Sequence, residues 1–143
     1  MSADIHWPPG WGPDCADSFV DHQRVLAAPI QFVFACLLDV ERWPVWQLDV
    51  QDVQLVDAVA VGCRFVVSTH RHTLDGIVGE LVAPHRFGWA AVSDELSFYQ
   101  SWLLLDEPGG GTRVVLQESA RGPAALLRRT DRSIVTRRHL DAL

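Results

Sequence analysis

Arg64-Phe65-Val66-Val67-Ser68-Thr69-His70-Arg71-His72 is the stretch on which the architecture turns. Successive side chains of a strand point to opposite faces, so the run divides into Phe65, Val67, Thr69 and Arg71 on one side and Arg64, Val66, Ser68, His70 and His72 on the other. The first set is the more apolar and is assigned to the interior, which leaves the second facing solvent. The same period of two continues outward. Apolar-rich runs at Val50, Val53, Leu55 and Val56, at Ile77 and Leu81, and at Val114 and Leu116 are separated by turn chemistry. The breaks fall at Val61-Gly62, Asp75-Gly76, Ala83-Pro84, Ser93-Asp94-Glu95 and Pro108-Gly109-Gly110-Gly111. Asp75-Gly76 reads as a hairpin turn. A meander of six or seven antiparallel strands follows from this pattern.

Helical periods flank the strands. Residues 22–28 read as a first strand, and Pro29 suits the first position of a helix, where its missing N–H costs nothing. From Ile30 to Val40 the chain is apolar on almost every side, which predicts a helix buried against more than one neighbour. Glu41 to Trp46 continues as a second short helix or turn, broken at Pro44. After Gly122-Pro123 a helical pattern returns, with Leu127, Thr130 and Ile134 inside and Arg128, Arg129, Arg132 and Arg138 mostly outside. Residues 1–20, rich in Pro, Gly, Asp and Trp, form an irregular arm ahead of a single domain over 21–143. Trp7 and Trp11 of this arm are expected either to pack on the body or a pocket mouth, or to belong to a loose tail.

Composition narrows the function. A chain of 143 residues with 48% apolar content is one ordinary domain with a core of its own. The net charge of −6 argues against nucleic acid or an anionic membrane as partner, since both need a basic footprint. No stretch approaches the ~18 to 20 apolar residues of a membrane span. Asp4 and the Trp7-Pro8-Pro9-Gly10-Trp11 segment stand where a secretory signal would be apolar, so a cytoplasmic location is expected. Three cysteines without a CxxC pair suggest neither a disulfide framework nor a zinc knuckle.

Alternation also selects the candidate site. It turns Phe87, Trp89 and Ala91 inward, then Phe98, Gln100, Trp102 and Leu104, then Val114, Leu116, Glu118 and Ala120. Glu118 is the informative member, because an ionised carboxylate on an apolar face must be paired or have its pKa raised. It is the leading candidate for an acid, a base or a ligand-orienting group, and Arg71 and Gln100 could each bond a ligand oxygen. The plainer reading pairs Glu118 with Arg71 or with an arginine of the last helix, and makes Trp89 and Trp102 core packing. Tyr99 falls on the face opposite Gln100 unless a bulge reverses it. His70 and His72 share a strand face, but His6, His22, His85 and His139 show no spacing that converges on them, so no metal is expected. No nucleophile elbow, phosphate loop or dinucleotide fingerprint is present.

Four short signatures, Arg42-Trp43-Pro44-Val45-Trp46, Gly62-Cys63-Arg64-Phe65, Pro84-His85-Arg86-Phe87-Gly88-Trp89 and Gly111-Thr112-Arg113-Val114, stand in an order and spacing that resemble the START-like, or SRPBCC, superfamily. The likeness covers roughly residues 22–143, and the superfamily includes the polyketide cyclase/dehydratase proteins. It implies an α+β helix-grip (Bet v 1-like) fold, in which a curved antiparallel sheet surrounds a long C-terminal helix and two short helices join strands 1 and 2. A cavity for a hydrophobic small molecule goes with that fold. The activity implied is an aromatase/cyclase type of secondary metabolism acting on an apolar oxygenated substrate by cofactor-free acid/base chemistry, for which the inward placement read from alternation makes Glu118 and Arg71 the catalytic candidates. Phe65, Val67, Thr69, Trp89, Phe98, Gln100, Trp102, Leu116 and Trp46 would line the site. The alternative is a non-catalytic binding or carrier protein for a lipid, terpenoid or polyketide. A third reading makes Trp7, Trp11 and the last helix a partner surface. An exposed edge strand would allow a homodimer. Family members commonly begin near the first strand, so the arm departs from the pattern.

Overall fold

The computed structural model describes residues 5–47, 50–55, 58–69 and 72–123. Seven strands, β1 (Ser18–Leu26), β2 (Val50–Leu55), β3 (Arg64–Thr69), β4 (Thr73–Val82), β5 (Arg86–Val92), β6 (Ser97–Asp106) and β7 (Thr112–Arg121), form one sheet. Its order is β1-β7-β6-β5-β4-β3-β2, and every neighbouring pair is antiparallel. Consecutive hairpins from β2 to β7 account for the meander, and β1 closes on β7. Two short helices, α1 (Ile30–Leu38) and α2 (Trp43–Trp46), with a 3-10 turn at Val40–Arg42 between them, join β1 to β2 as expected. The expected final helix falls on residues 124–143, outside the described residues. None of the described helices is long and apolar enough to cross a membrane.

One face of the sheet, the inner one, carries the core. Phe65 and Val67 are buried on β3, as their alternation requires, and Phe87, Trp89, Phe98, Trp102, Leu104, Val114 and Leu116 continue the layer across β5, β6 and β7. Trp43 locks α2 onto this layer. Its ring is fully buried, lies edge-on to Phe65 and Phe87 at 5.9 and 6.2 Å, and tilts against Trp89 at 5.3 Å. Its Nε1 donates to the carbonyl of Leu37 at 3.0 Å, tying α2 to the end of α1.

Four local expectations need correction. The first strand begins at Ser18 instead of residue 22, because Ser18 to Asp21 are paired with Ala120 to Gln117. Asp75-Gly76 is not a turn but lies inside β4, and the β3–β4 turn falls at the Thr69–His72 closure. Gly76 is needed there for space, since a Cβ would stand 3.1 Å from the ring of Phe65 on the neighbouring strand. The register shift between Val78 and Glu80 puts Ile77 and Leu81 on opposite faces, although their spacing of four would unite them in a regular strand. Finally, α1 is not buried all round: Ile30, Val33, Phe34 and Leu37 form its buried stripe, and Phe32 is 63% exposed.

Part of the other face of the sheet, around Tyr99, is covered by the arm. Tyr99, on this outer face as alternation predicts, is only 2% exposed. Trp7 meets its ring edge-on at 5.9 Å and Phe19 at 6.1 Å, while Trp11 tilts against Tyr99 at 6.4 Å and carries the guanidinium of Arg121 at 4.3 Å. His6 Nδ1 donates to Glu80 Oε2 at 2.6 Å, and Gly122 N–H donates to the Asp17 carboxylate at 2.9 Å. Beneath the tyrosine ring the sheet is made of glycine, because a Cβ at Gly88 would overlap the Tyr99 hydroxyl. Of the two expectations for Trp7 and Trp11, packing on the body is the one observed.

Tyr99 is the chain's one tyrosine and so reports on the arm without a label. Its pKa is pushed up to about 12, first by burial and then by the negative charge of Glu80. The folded state therefore holds the phenol proton more tightly than the unfolded chain does. This contribution to stability is complete below the ordinary value of 10.0 and is lost as pH rises through about 12. Tyrosinate absorbance should titrate near 12 in the folded protein and near 10 in denaturant, and Trp7→Ala should lower the folded value. An unchanged midpoint in that variant would mean that the arm does not shield the ring.

Candidate functional site

Antiparallel pairing sets the candidate residues side by side. Val20, Glu118, Gln100, Trp89 and Val78 lie directly opposite one another on β1, β7, β6, β5 and β4, forming a row across the inner face. Trp102 stands two residues along β6 from Gln100 and so faces the same way. All four polar members are buried: Trp89 and Gln100 are 3% exposed, Glu118 1% and Trp102 0%.

Within this row a hydrogen-bond chain replaces the water that burial removes. Trp89 Nε1 and Trp102 Nε1 both donate to Gln100 Oε1, at 3.0 and 2.7 Å. Gln100 Nε2 donates in turn to Glu118 Oε1 at 3.2 Å. An indole can only donate and an amide oxygen has two lone pairs, so the two tryptophans fill the acceptor capacity of Gln100. The amide joins two otherwise stranded donors to a carboxylate that needs one.

Around the network lie the apolar candidates. Phe98 is edge-on to Trp89 at 5.1 Å, Phe65 tilts against Trp89 at 5.3 Å, and half-buried Trp46 is edge-on to Trp102 at 6.0 Å. Val67 and Leu116 are buried in the same layer. Thr69 sits at the end of β3, where its hydroxyl donates to the carbonyl of His72 and accepts from that residue's N–H. That bonding makes it a turn-closing residue at the margin of the row. Arg71 and His70 lie outside the described residues. His85 is half-buried, with Nδ1 bonded to the carbonyl of Leu104 at 2.9 Å.

Two buried polar groups escape the alternation pattern. Gln47 Nε2, 2% exposed, and Ser18 Oγ, 3% exposed, have no hydrogen-bond partner among the described residues. Gln47 directly follows α2, whose Trp46 packs on Trp102. It lies in neither a strand nor a described helix, so no period marks it. The available signal was its place next to the Arg42-to-Trp46 signature. Two concavities lined by described residues lie on the outer face: one of about 420 Å³ over Arg64, Val66, Asp75, Ile77 and Val92, and one of about 280 Å³ beside His6, Trp7, Glu80 and Tyr99.

Comparison with known proteins agrees with this geometry. The family model described as polyketide cyclase / dehydrase and lipid transport matches residues 19–142, and the chain belongs to that family. A hypothetical protein from Helicobacter pylori superposes with a TM-score of 0.88 at 19% identity, covering 99% of this chain and 95% of that one. A protein from Mesorhizobium loti gives 0.71 at 16% identity over 87% and 92% of the two chains. A START superfamily protein from Mycobacterium smegmatis gives 0.70 at 11% identity over 86% and 94%. These likenesses establish the helix-grip, START-like fold. No protein of curated function matches the sequence. The family model leaves residues 1–18 outside its range, whereas the similarity to the Helicobacter pylori protein extends across the arm.

Gln100→Leu removes the acceptor of both indoles while filling most of the space. It should cost roughly 1–3 kcal/mol for each stranded buried donor. Trp102→Phe takes away one donor and leaves the amide with Trp89, so the part of its cost due to hydrogen bonding is smaller. Urea unfolding of both variants measures the difference, and a Gln100→Leu protein as stable as the parent would contradict the network.

Proposed function

We propose that the chain binds an apolar, oxygen-bearing small molecule on the inner face of its sheet, with Glu118 as the polar group the ligand meets. The carrying observation is the hydrogen-bond chain Trp89/Trp102–Gln100–Glu118, which holds one carboxylate in an otherwise apolar layer. Such a face needs only a few polar groups to orient a hydrophobic guest. Membership of a family whose description joins polyketide cyclisation and dehydration to lipid transport supports the same reading. Gln47 adds to it, since a buried amide donor without a partner among the described residues is retained at a cost in stability.

Binding without conversion is the reading favoured by the polar inventory: one carboxylate on the described inner face, with Gln100 already engaged in holding it. A second reading, cofactor-free cyclisation or dehydration, draws on the buried position of Glu118. There Glu118 would exchange the proton while the surrounding apolar side chains fold the substrate toward reaction. In either case the protein would work in the cytoplasm, and Arg71 would be a further polar contact.

Native mass spectrometry of protein purified from a metabolite-rich extract separates the readings. One unaltered apolar compound is expected, a starting compound together with its ring-closed or dehydrated form would favour the enzyme, and an empty protein would count against both. Gln47→Met should leave the ligand-free protein as stable as the parent or more so, while reducing the rise in melting temperature caused by the recovered ligand. A variant destabilised without ligand and unaltered in that rise would assign Gln47 to packing alone.

A further inference from the structure

Tyr99 is almost fully buried, yet its hydroxyl is not engaged. The residue is 2% exposed, and its oxygen has no hydrogen-bond partner among the described residues. Buried phenols are seldom left without one. The place of the oxygen indicates where a partner would come from. A Cβ on Gly79 would stand 3.0 Å from it, and Gly79 and Tyr99 both line the outer-face concavity of about 280 Å³, together with His6, Trp7, Pro8 and Glu80. The hydroxyl thus belongs to the wall of that concavity, on a side kept open by a residue without a side chain.

Glu80 supplies a second oxygen. His6 Nδ1 bonds its Oε2 at 2.6 Å, and no other bond to this carboxylate occurs among the described residues, so Oε1 keeps its lone pairs. The charge of Glu80 is felt at the phenol, whose pKa it raises after burial has done so first. A phenol that keeps its proton still accepts through its oxygen. The concavity therefore offers one charged and one neutral acceptor beside the rings of Trp7 and Pro8.

This combination selects a class of guest. An anion would meet the charge of Glu80, and a hydrocarbon would leave both oxygens without water or partner. A primary ammonium has three N–H donors, enough for both. Indoles attract cations as well, and Trp11, the arm's other tryptophan, already carries the guanidinium of Arg121 at 4.3 Å. We infer that the outer-face concavity is a binding site for a compact primary alkylammonium, which donates to Glu80 Oε1 and the Tyr99 oxygen and lays its carbon chain against Trp7 and Pro8. Because those last two residues belong to the arm, the site exists only while the arm is seated. It is independent of any ligand on the inner face.

The chain's one tyrosine makes the test local, since fluorotyrosine places a single fluorine resonance at the site. Butylammonium, butanol and butyltrimethylammonium share a chain and differ in charge and in N–H groups. At constant ionic strength, butylammonium should shift the resonance saturably. Butanol should bind roughly tenfold more weakly, the factor for one hydrogen bond to a charged group. Butyltrimethylammonium, which has the charge without the N–H, should also bind more weakly than butylammonium. Glu80→Gln should bring butylammonium down to the affinity of butanol and leave butanol where it was, whereas a loosened arm would weaken both. No saturable shift, butanol or butyltrimethylammonium bound as tightly as butylammonium, or a Glu80→Gln protein that weakens both butyl compounds alike or neither would overturn the site. The parent series decides the question even if circular dichroism shows that the variant does not fold, and each of these failures leaves the inner-face reading intact.

Discussion

A carboxylate in an apolar layer is tolerated only where hydrogen bonds replace the water it has lost, and in this protein one amide supplies part of that replacement. Gln100 is the junction: two indoles end on its oxygen and its nitrogen serves Glu118. Each partner restricts the others. Trp89 is also the hub of the aromatic cluster that receives Trp43 and with it the second helix, so the polar chain and the helix-to-sheet packing share a residue. A change at Gln100 would be felt by the carboxylate on one side and by the core on the other.

The opposite face is organised by a different aromatic group. Tyr99 stands next to Gln100 in the chain and points away from it, into a seat of glycine on the sheet and tryptophan on the arm. Without the arm this seat would leave a large ring and the apolar surface about it open to water. The arm's further ties, His6 to Glu80 and Asp17 to the N–H of Gly122, run to both ends of the covered region. Trp7 and Trp11 thereby belong to the fold and stand apart from the inner face.

Much of this was readable from residue order. Phe65 and Val67 fixed the polarity of β3, and the same alternation assigned Gln100, Trp102 and Glu118 to one face and Tyr99 to the other. Facing, however, is a property of one strand, whereas the network depends on register between strands. That Glu118 sits opposite Gln100, and Gln100 opposite Trp89, follows from hairpin positions that alternation does not supply. The misread Asp75-Gly76 shows the difficulty: turn chemistry and a glycine making room for Phe65 look the same in a single sequence. The bulge in β4 likewise broke the spacing rule for Ile77 and Leu81. Gln47 had no period to betray it, and its burial emerges only when α2 is seated on the sheet.

The two faces of β6 amount to separate territories one side chain apart. Even-numbered positions from Phe98 to Leu104 look toward the candidate site, and odd-numbered ones from Tyr99 to Leu103 look the other way. Heritable variation can therefore act on recognition and on the outer covering almost independently, by parity of position. A strand of this kind lets one surface of the sheet be altered while the other is spared.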